Sequence, residues 1–247
     1  MHDTISEALP ESTWAMVVAG GRSVRISGDL PKQFRKIRGI RLYEISLRSL
    51  LSTGVSGIVL VVPPDRVDEI GREVAVRVEG TVSVCCGGEK RRDSVARGFS
   101  QIPDCANVVL IHDAARPFLP RSLTRDVARA AFMNGAALAA VPATDTLKKS
   151  TDGLIVEETI DRRNTYYAQT PQGFRREILE RSLFKSTNTD VPTDESMSAE
   201  RIGISPRLIR GSHFCFKVTV PEDLELAEAV YEWLSERKKH DDDWSWL

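Results

Sequence analysis

The sequence has little of what marks most specialised chains. It holds four cysteines, Cys85, Cys86, Cys105 and Cys215, and no Cys-x-x-Cys pair. They stand at no ligand-like spacing to the four histidines, which argues against a structural zinc site and suits a reducing, cytoplasmic setting. No long apolar run is present. The least polar stretch, GAALAAVPA at 135–143, is far too short to cross a bilayer. Residues 1–13 are polar and acidic, without the apolar segment of a signal peptide. Net charge is almost absent as well, since 34 Lys and Arg against 35 Asp and Glu leave −1. That excludes the global basic field that drives nucleic-acid binding, so any anion site must be local. Two familiar phosphate loops are missing, GxxxxGK[ST] and GxGxxG, and no Ser-His-Asp or Cys-His set stands out.

What remains is a chain of 247 residues, 41% hydrophobic, long enough to bury a sizeable core. Short apolar runs recur at 14–19, 57–63, 81–85, 107–112 and 136–141. They are apolar nearly throughout, as strands covered on both faces must be. Helical patterns fall between them, at Tyr43–Leu51, about 64–78, about 93–101 and 121–133. This alternation predicts an α/β fold with a doubly wound, mainly parallel sheet, and places ligands at the carboxyl ends of the strands. Residues 142–170 break the rhythm. Thr151-Asp152-Gly153 reads as the turn of a projecting β-hairpin, an arm whose Ile155, Val156 and Ile160 call for cover by a second subunit. Phe214 to Val220 is predicted as a further strand, leading into a helix at Pro221. The expected organisation is one domain over 14–238, with loose tails at 1–13 and 239–247.

Four places can carry chemistry. Gly20 and Gly21 follow the first strand, and Arg22, Arg25 and Lys32 come after them. Bare backbone N–H groups with nearby cations suit a phosphate, although a glycine turn with a basic rim has the same composition. Asp113 ends the fourth apolar run, with Arg116 three residues on. It is either a metal-binding carboxylate or a cap for the turn before Pro117. Gly87 and Gly88 follow another strand, with Ser94 beyond. They suit a base and ribose, or a helix N-terminus beside a solvated basic stretch. Lys217 lies among Phe214, Phe216 and Val218, facing an anion or, by simple alternation, solvent.

Seven stretches resemble one family in order and spacing: AGGRSVRISGDLPKQF, GGEKRRDSV, HDAARPF, DTLKKS, IDRRNTYYAQTPQGF, PTDESM and FKVTVPEDLELAE. They look like the 2-C-methyl-D-erythritol 4-phosphate cytidylyltransferases, to which the ribitol-5-phosphate cytidylyltransferases are related. The resemblance covers about residues 14–233. It implies a homodimeric, Mg²⁺-dependent nucleotidyltransferase that joins CTP to a small polyol phosphate and releases pyrophosphate. It implies Arg25, Lys32 and Lys217 as the catalytic cations and Asp113 as the metal ligand. Ala19, Gly20, Gly21, Gly87, Gly88, Ser94 and Ala114 would hold the nucleotide. Arg116, Thr170 and Thr193 would hold the sugar phosphate, with Thr146 and Arg162 reaching a neighbouring subunit from the arm. Three positions depart from the family pattern: Ser23 stands for a loop glycine, Ile26 for methionine and Cys215 for asparagine. The alternatives are another polyol phosphate as acceptor, or a nucleotide-binding relative without turnover.

Overall fold

The apolar runs build the strands that their two-sided hydrophobicity predicts. A computed structural model describes residues 8–21, 31–184 and 192–247. β1 (Thr13–Val18) leads through the glycine pair to a 3-10 turn at Lys32–Phe34. A small hairpin follows, β2 (Lys36–Ile37) and β3 (Ile40–Arg41), and then α1 (Leu42–Ser52). The chain continues as β4 (Gly57–Val62), α2 (Val67–Arg77), β5 (Val82–Cys86), α3 (Arg91–Phe99) and β6 (Val108–Asp113). Next come α4 (Arg121–Asn134) and β7 (Ala136–Pro142). Gly135 between them has φ 91°, the left-handed geometry that stops a helix. β8 (Leu147–Lys149), β9 (Glu158–Ile160), β10 (Tyr166–Arg175) and α5 (Arg176–Phe184) follow. α6 (Glu195–Glu200), β11 (Arg207–Arg210) and α7 (Pro221–Arg237) complete the regular elements.

Seven strands form one sheet in the order β11-β7-β10-β6-β1-β4-β5. β10 runs antiparallel to both its neighbours, and the other pairings are parallel. Side chains alternate between two cores. Val17, Leu60 and Leu110 face α1, α2 and α4, where Leu47, Ile70 and Val127 meet them. Met16, Val61 and Ile111 face the other side, against Val95, Phe99 and Leu179. A third cluster closes one end, with Ile37, Leu42, Phe118, Val218, Leu234 and Trp244.

Three features differ from the sequence reading. Residues 166–175 are a central strand rather than the end of the arm, because Phe174 and Gly173 pack into the sheet while Tyr166 and Tyr167 stay exposed. Residues 214–220 form no strand. Their alternation reflects Phe214 and Phe216 turned into the third cluster, and a 3-10 turn covers His213–Cys215. The end of the chain is also tied down: Trp244 is 5% exposed and sits in a 3-10 turn at Asp242–Trp244. β8 and β9 pair antiparallel outside the main sheet, and Leu154, Ile155 and Val156 at their tip are exposed.

Candidate active site

A cavity of about 570 Å³ opens at the carboxyl ends of β1, β5 and β6. Ala19, Gly20 and Gly21 form one wall, with Lys32 and Gln33 beside them. Gln33 is buried, and its Nε2 donates to Ala19 O at 2.6 Å and to Gly21 O at 2.8 Å. One amide thus turns the first loop's carbonyls inward to the protein. Arg25, together with Ser23 and Ile26, lies outside the described residues.

Gly88, Glu89, Lys90, Arg91 and Ser94 form the opposite wall. Glycine is required here by space. A Cβ on Gly88 would fall 2.3 Å from Asp93 Cβ, and one on Gly87 would fall 2.9 Å from Ser94 Oγ. Ser94 Oγ accepts the Gly88 N–H at 3.0 Å, and Arg97 donates to Gly87 O at 2.7 Å. The second loop is therefore fixed by its own helix.

Asp113 lies on the floor, 6% exposed. Arg91 Nη1 meets its Oδ1 at 2.6 Å, and Lys217 Nζ meets its Oδ2 at 2.7 Å. Arg116 Nε stands 3.8 Å from the same Oδ2. Burial pushes the Asp113 carboxyl up, but Arg91, Lys217 and Arg116 together outweigh it and hold the group well below the usual carboxylate range. Arg91 also reaches Glu195 Oε2 at 2.9 Å, joining the start of α3 to α6. Burial raises the Glu195 carboxyl, with Arg91 opposing the rise.

Beneath Asp113 is a buried polar relay. His112 Nε2 lies 2.9 Å from Arg116 O, so this nitrogen carries the proton. Nδ1 then accepts from Thr170 Oγ1 at 3.0 Å, and Thr170 Oγ1 accepts the Asp113 N–H at 3.1 Å. Burial pushes the His112 pKa down to about 4, which keeps the ring neutral.

The structure brings together Lys32, Lys217, Asp113, Ala19, Gly20, Gly21, Gly88 and Ser94 on one cavity. Others expected there stand elsewhere. Ala114 is turned into the core, and Ala115 faces the cavity instead. Thr170 is 4% exposed, with its hydroxyl committed to the relay. Arg116 donates to Cys215 O at 2.9 Å and to Ala168 O at 3.4 Å, bracing the rim. Cys215, the residue in place of asparagine, is wholly buried. Its Sγ donates to Thr170 O at 3.2 Å, and burial pushes its pKa up to about 12. That departure therefore leaves the cavity surface untouched. Thr193 is exposed and precedes Asp194, the N-cap of α6. Thr146 and Arg162 are exposed at the base of the β8–β9 pair, where the Arg162 guanidinium donates to Thr144 O.

Arg91, Gln33, Glu195 and His112 were not expected. Arg91 did carry a signal, since a cation in a helix's first turn opposes the helix dipole. A local rule broken in that way marks a residue retained for another purpose. Gln33 and Glu195 carry no such signal, because only the fold supplies their partners.

The chain's residues 13–232 match the family model described as IspD: 2-C-methyl-D-erythritol 4-phosphate cytidylyltransferase. The bifunctional enzyme IspD/IspF of Desulfotalea psychrophila is 37% identical over 214 residues, which cover 86% of this chain and 55% of that protein. The chain thus spans little more than half the length of the bifunctional relatives it matches. The 2-C-methyl-D-erythritol 4-phosphate cytidylyltransferase of Carboxydothermus hydrogenoformans is 33% identical over 225 residues, covering 90% of this chain and 96% of that one. Among solved structures, the Thermus thermophilus 2-C-methyl-D-erythritol 4-phosphate cytidylyltransferase superposes with a TM-score of 0.73 at 28% identity, covering 88% of this chain and 98% of that one. With its two glycine walls and the cation-ringed aspartate between them, the chain belongs to the 2-C-methyl-D-erythritol 4-phosphate cytidylyltransferase family.

Proposed function

We propose that the chain transfers a cytidylyl group from CTP to 2-C-methyl-D-erythritol 4-phosphate and releases pyrophosphate. The observation that carries this reading is the cavity itself: two glycine walls, Lys32 in the lining, and Arg91 and Lys217 converging on one ionised Asp113. In this reaction a phosphate oxygen, already anionic, attacks the α-phosphorus of CTP. No general base is needed, in keeping with the neutral, buried His112 and the inert Cys215. The chain's task is to bring two anions into line and to balance the charge that builds on the α-phosphate. Lys32 and Lys217 both line the cavity and supply that charge. The backbone of Gly20 and Gly21 faces the phosphates, and that of Gly88 faces the base.

The proposed cofactor is Mg²⁺. Among the described residues no group of three or more His, Cys, Asp or Glu side chains is placed to hold a metal. A magnesium ion that keeps water and takes phosphate oxygens needs only one or two carboxylates, and Asp113, on the cavity floor with its oxygens now paired to Arg91 and Lys217, would be that ligand through its remaining lone pairs. When bound, the ion neutralises phosphate charge. We also propose a homodimer, with Leu154, Ile155 and Val156 buried against a second copy and Thr146 and Arg162 brought near that copy's cavity. Among the described residues no helix is long and apolar enough to cross a membrane.

Incubation with CTP, Mg²⁺ and a panel of polyol phosphates tests the proposal. Pyrophosphate release with methylerythritol 4-phosphate is the expected result. Release only with ribitol 5-phosphate, or CTP binding without release, would overturn it.

A further inference from the structure

The segment that carries Lys217 is held in an unusual way. Residues 216–220 join no sheet, and the backbone bond from Val218 N–H to Ala115 O, 2.8 Å, is their link to β6's following turn. A catalytic side chain on a segment outside the sheet is located by the anchors on either side of it. Thr219 and Val220 are fixed by Asp223, which accepts both their N–H groups at 2.6 and 3.0 Å. At the other end Cys215 is held by Arg116 on its O and by its own Sγ on Thr170 O, and Phe214, three residues before Lys217, adds an aromatic anchor.

Phe214 stacks on Trp233 of α7 at 5.2 Å between ring centroids and meets Trp244 edge-on at 5.9 Å. Trp244 belongs to the C-terminal segment, and that segment is pinned on several sides. Asp243 accepts the Ser122 N–H at 2.6 Å and its hydroxyl at 2.8 Å. Pro120 provides α4 with no side-chain cap, so the tail satisfies one of the helix's free N–H groups. Asp242 pairs with Arg121 at 2.9 Å, and Lys238 Nζ donates to Leu247 O at 3.0 Å. Trp244 cannot move without breaking the segment's bonds to α4, and Phe214 is held between Trp244 and Trp233.

We infer that the C-terminal segment 241–247 is a positioning element of the active site, in which Trp244, through Phe214, sets Lys217 against Asp113. This rests on the reading of Lys217 as the cation that faces the reacting phosphate. A merely structural Trp244 would contribute to the end cluster and leave Lys217 where it is.

The test uses the full chain with Trp244→Ala, Trp244→Phe and Phe214→Leu. Lysine acetylation by acetic anhydride, followed by peptide mass spectrometry, reads Lys217 directly and needs no turnover. Lys217 in Trp244→Ala should label about fivefold faster than in the parent, while Lys36 and Lys149 keep their parental rates. In the CTP assay kcat should fall about tenfold, with KM for CTP nearly unchanged. Trp244→Phe, which keeps an aromatic edge, should restore both readings. A folded Trp244→Ala protein with parental Lys217 labelling overturns the inference. Should Trp244→Ala fail to fold, Phe214→Leu carries the same comparison with the same two outcomes. If the parent releases no pyrophosphate, the proposed reaction fails, while the labelling still decides the role of Trp244.

Discussion

His112 is fully buried at the end of β6, and the charged groups acting on it are Asp113, Arg116 and Arg91. Burial pushes its pKa down to about 4, from an ordinary value of about 6.5. The unfolded chain therefore binds this proton more readily than the folded one. Stability is fully present above about pH 6.5 and declines as the pH falls toward 4, by up to about 1.4 kcal/mol per pH unit. Glu195 works in the opposite sense, because its carboxyl is raised and gains from acid. His112→Gln keeps a donor for Arg116 O, loses the Thr170 contact at a cost of about 1 kcal/mol, and cannot charge. Thermal melts from pH 7 to 4 should fall steeply for the parent and much less for the variant. Parallel declines would sink the assignment.

At the scale of elements, the second glycine loop and α3 are one unit. Gly88 packs against Asp93 in the first turn of α3, so Gly88→Ala forces that turn to shift. Overpacking of this kind costs about 1–3 kcal/mol, and CTP affinity measured by calorimetry should fall about tenfold. Gly71→Ala in α2, away from the cavity and with nothing among the described residues within 4 Å of its added Cβ, serves as the tolerated control. The parallel strands were legible because β1, β4 and β6 are apolar on both faces. β10 was not, since Gln169, Thr170, Pro171 and Gln172 give its middle a polar, loop-like composition. The stretch 214–220 misled for the converse reason: it alternates like a strand, but its aromatic faces meet α7 and the chain end. The cations and glycines of the site stood out by type and by place after a strand. Gln33, Glu195 and Trp244 act through partners 12 or more residues away, which no local pattern reveals.

For the whole molecule, the arm is the feature that a lone chain leaves unexplained. Leu154, Ile155 and Val156 are 87%, 69% and 56% exposed, a contiguous apolar tip of the kind the proposed dimer would bury. Sedimentation at micromolar concentration should give a dimer for the parent and a monomer for the double variant Ile155→Asp, Val156→Asp. A monomeric parent would remove Thr146 and Arg162 from the neighbouring cavity. The strand that follows the arm adds a thermodynamic consequence. β10 starts beside β7 at Tyr166, next to the arm, and reaches β6 at Gln172. Between these points its irregular stretch holds Thr170 under Asp113 and Gln169 against Ser212, where the Lys217 segment begins. If the proposed dimer forms through the arm, one strand would belong both to the subunit contact and to the floor of the cavity. Binding at either place would then bias the other, and reciprocity would make the two effects equal in free energy. CTP should tighten dimerisation about fivefold, and dilution to the monomer should weaken CTP binding by the same factor. Sedimentation equilibrium with and without CTP measures the first half of that cycle, and an unchanged dimer constant would show that the strand carries no such coupling.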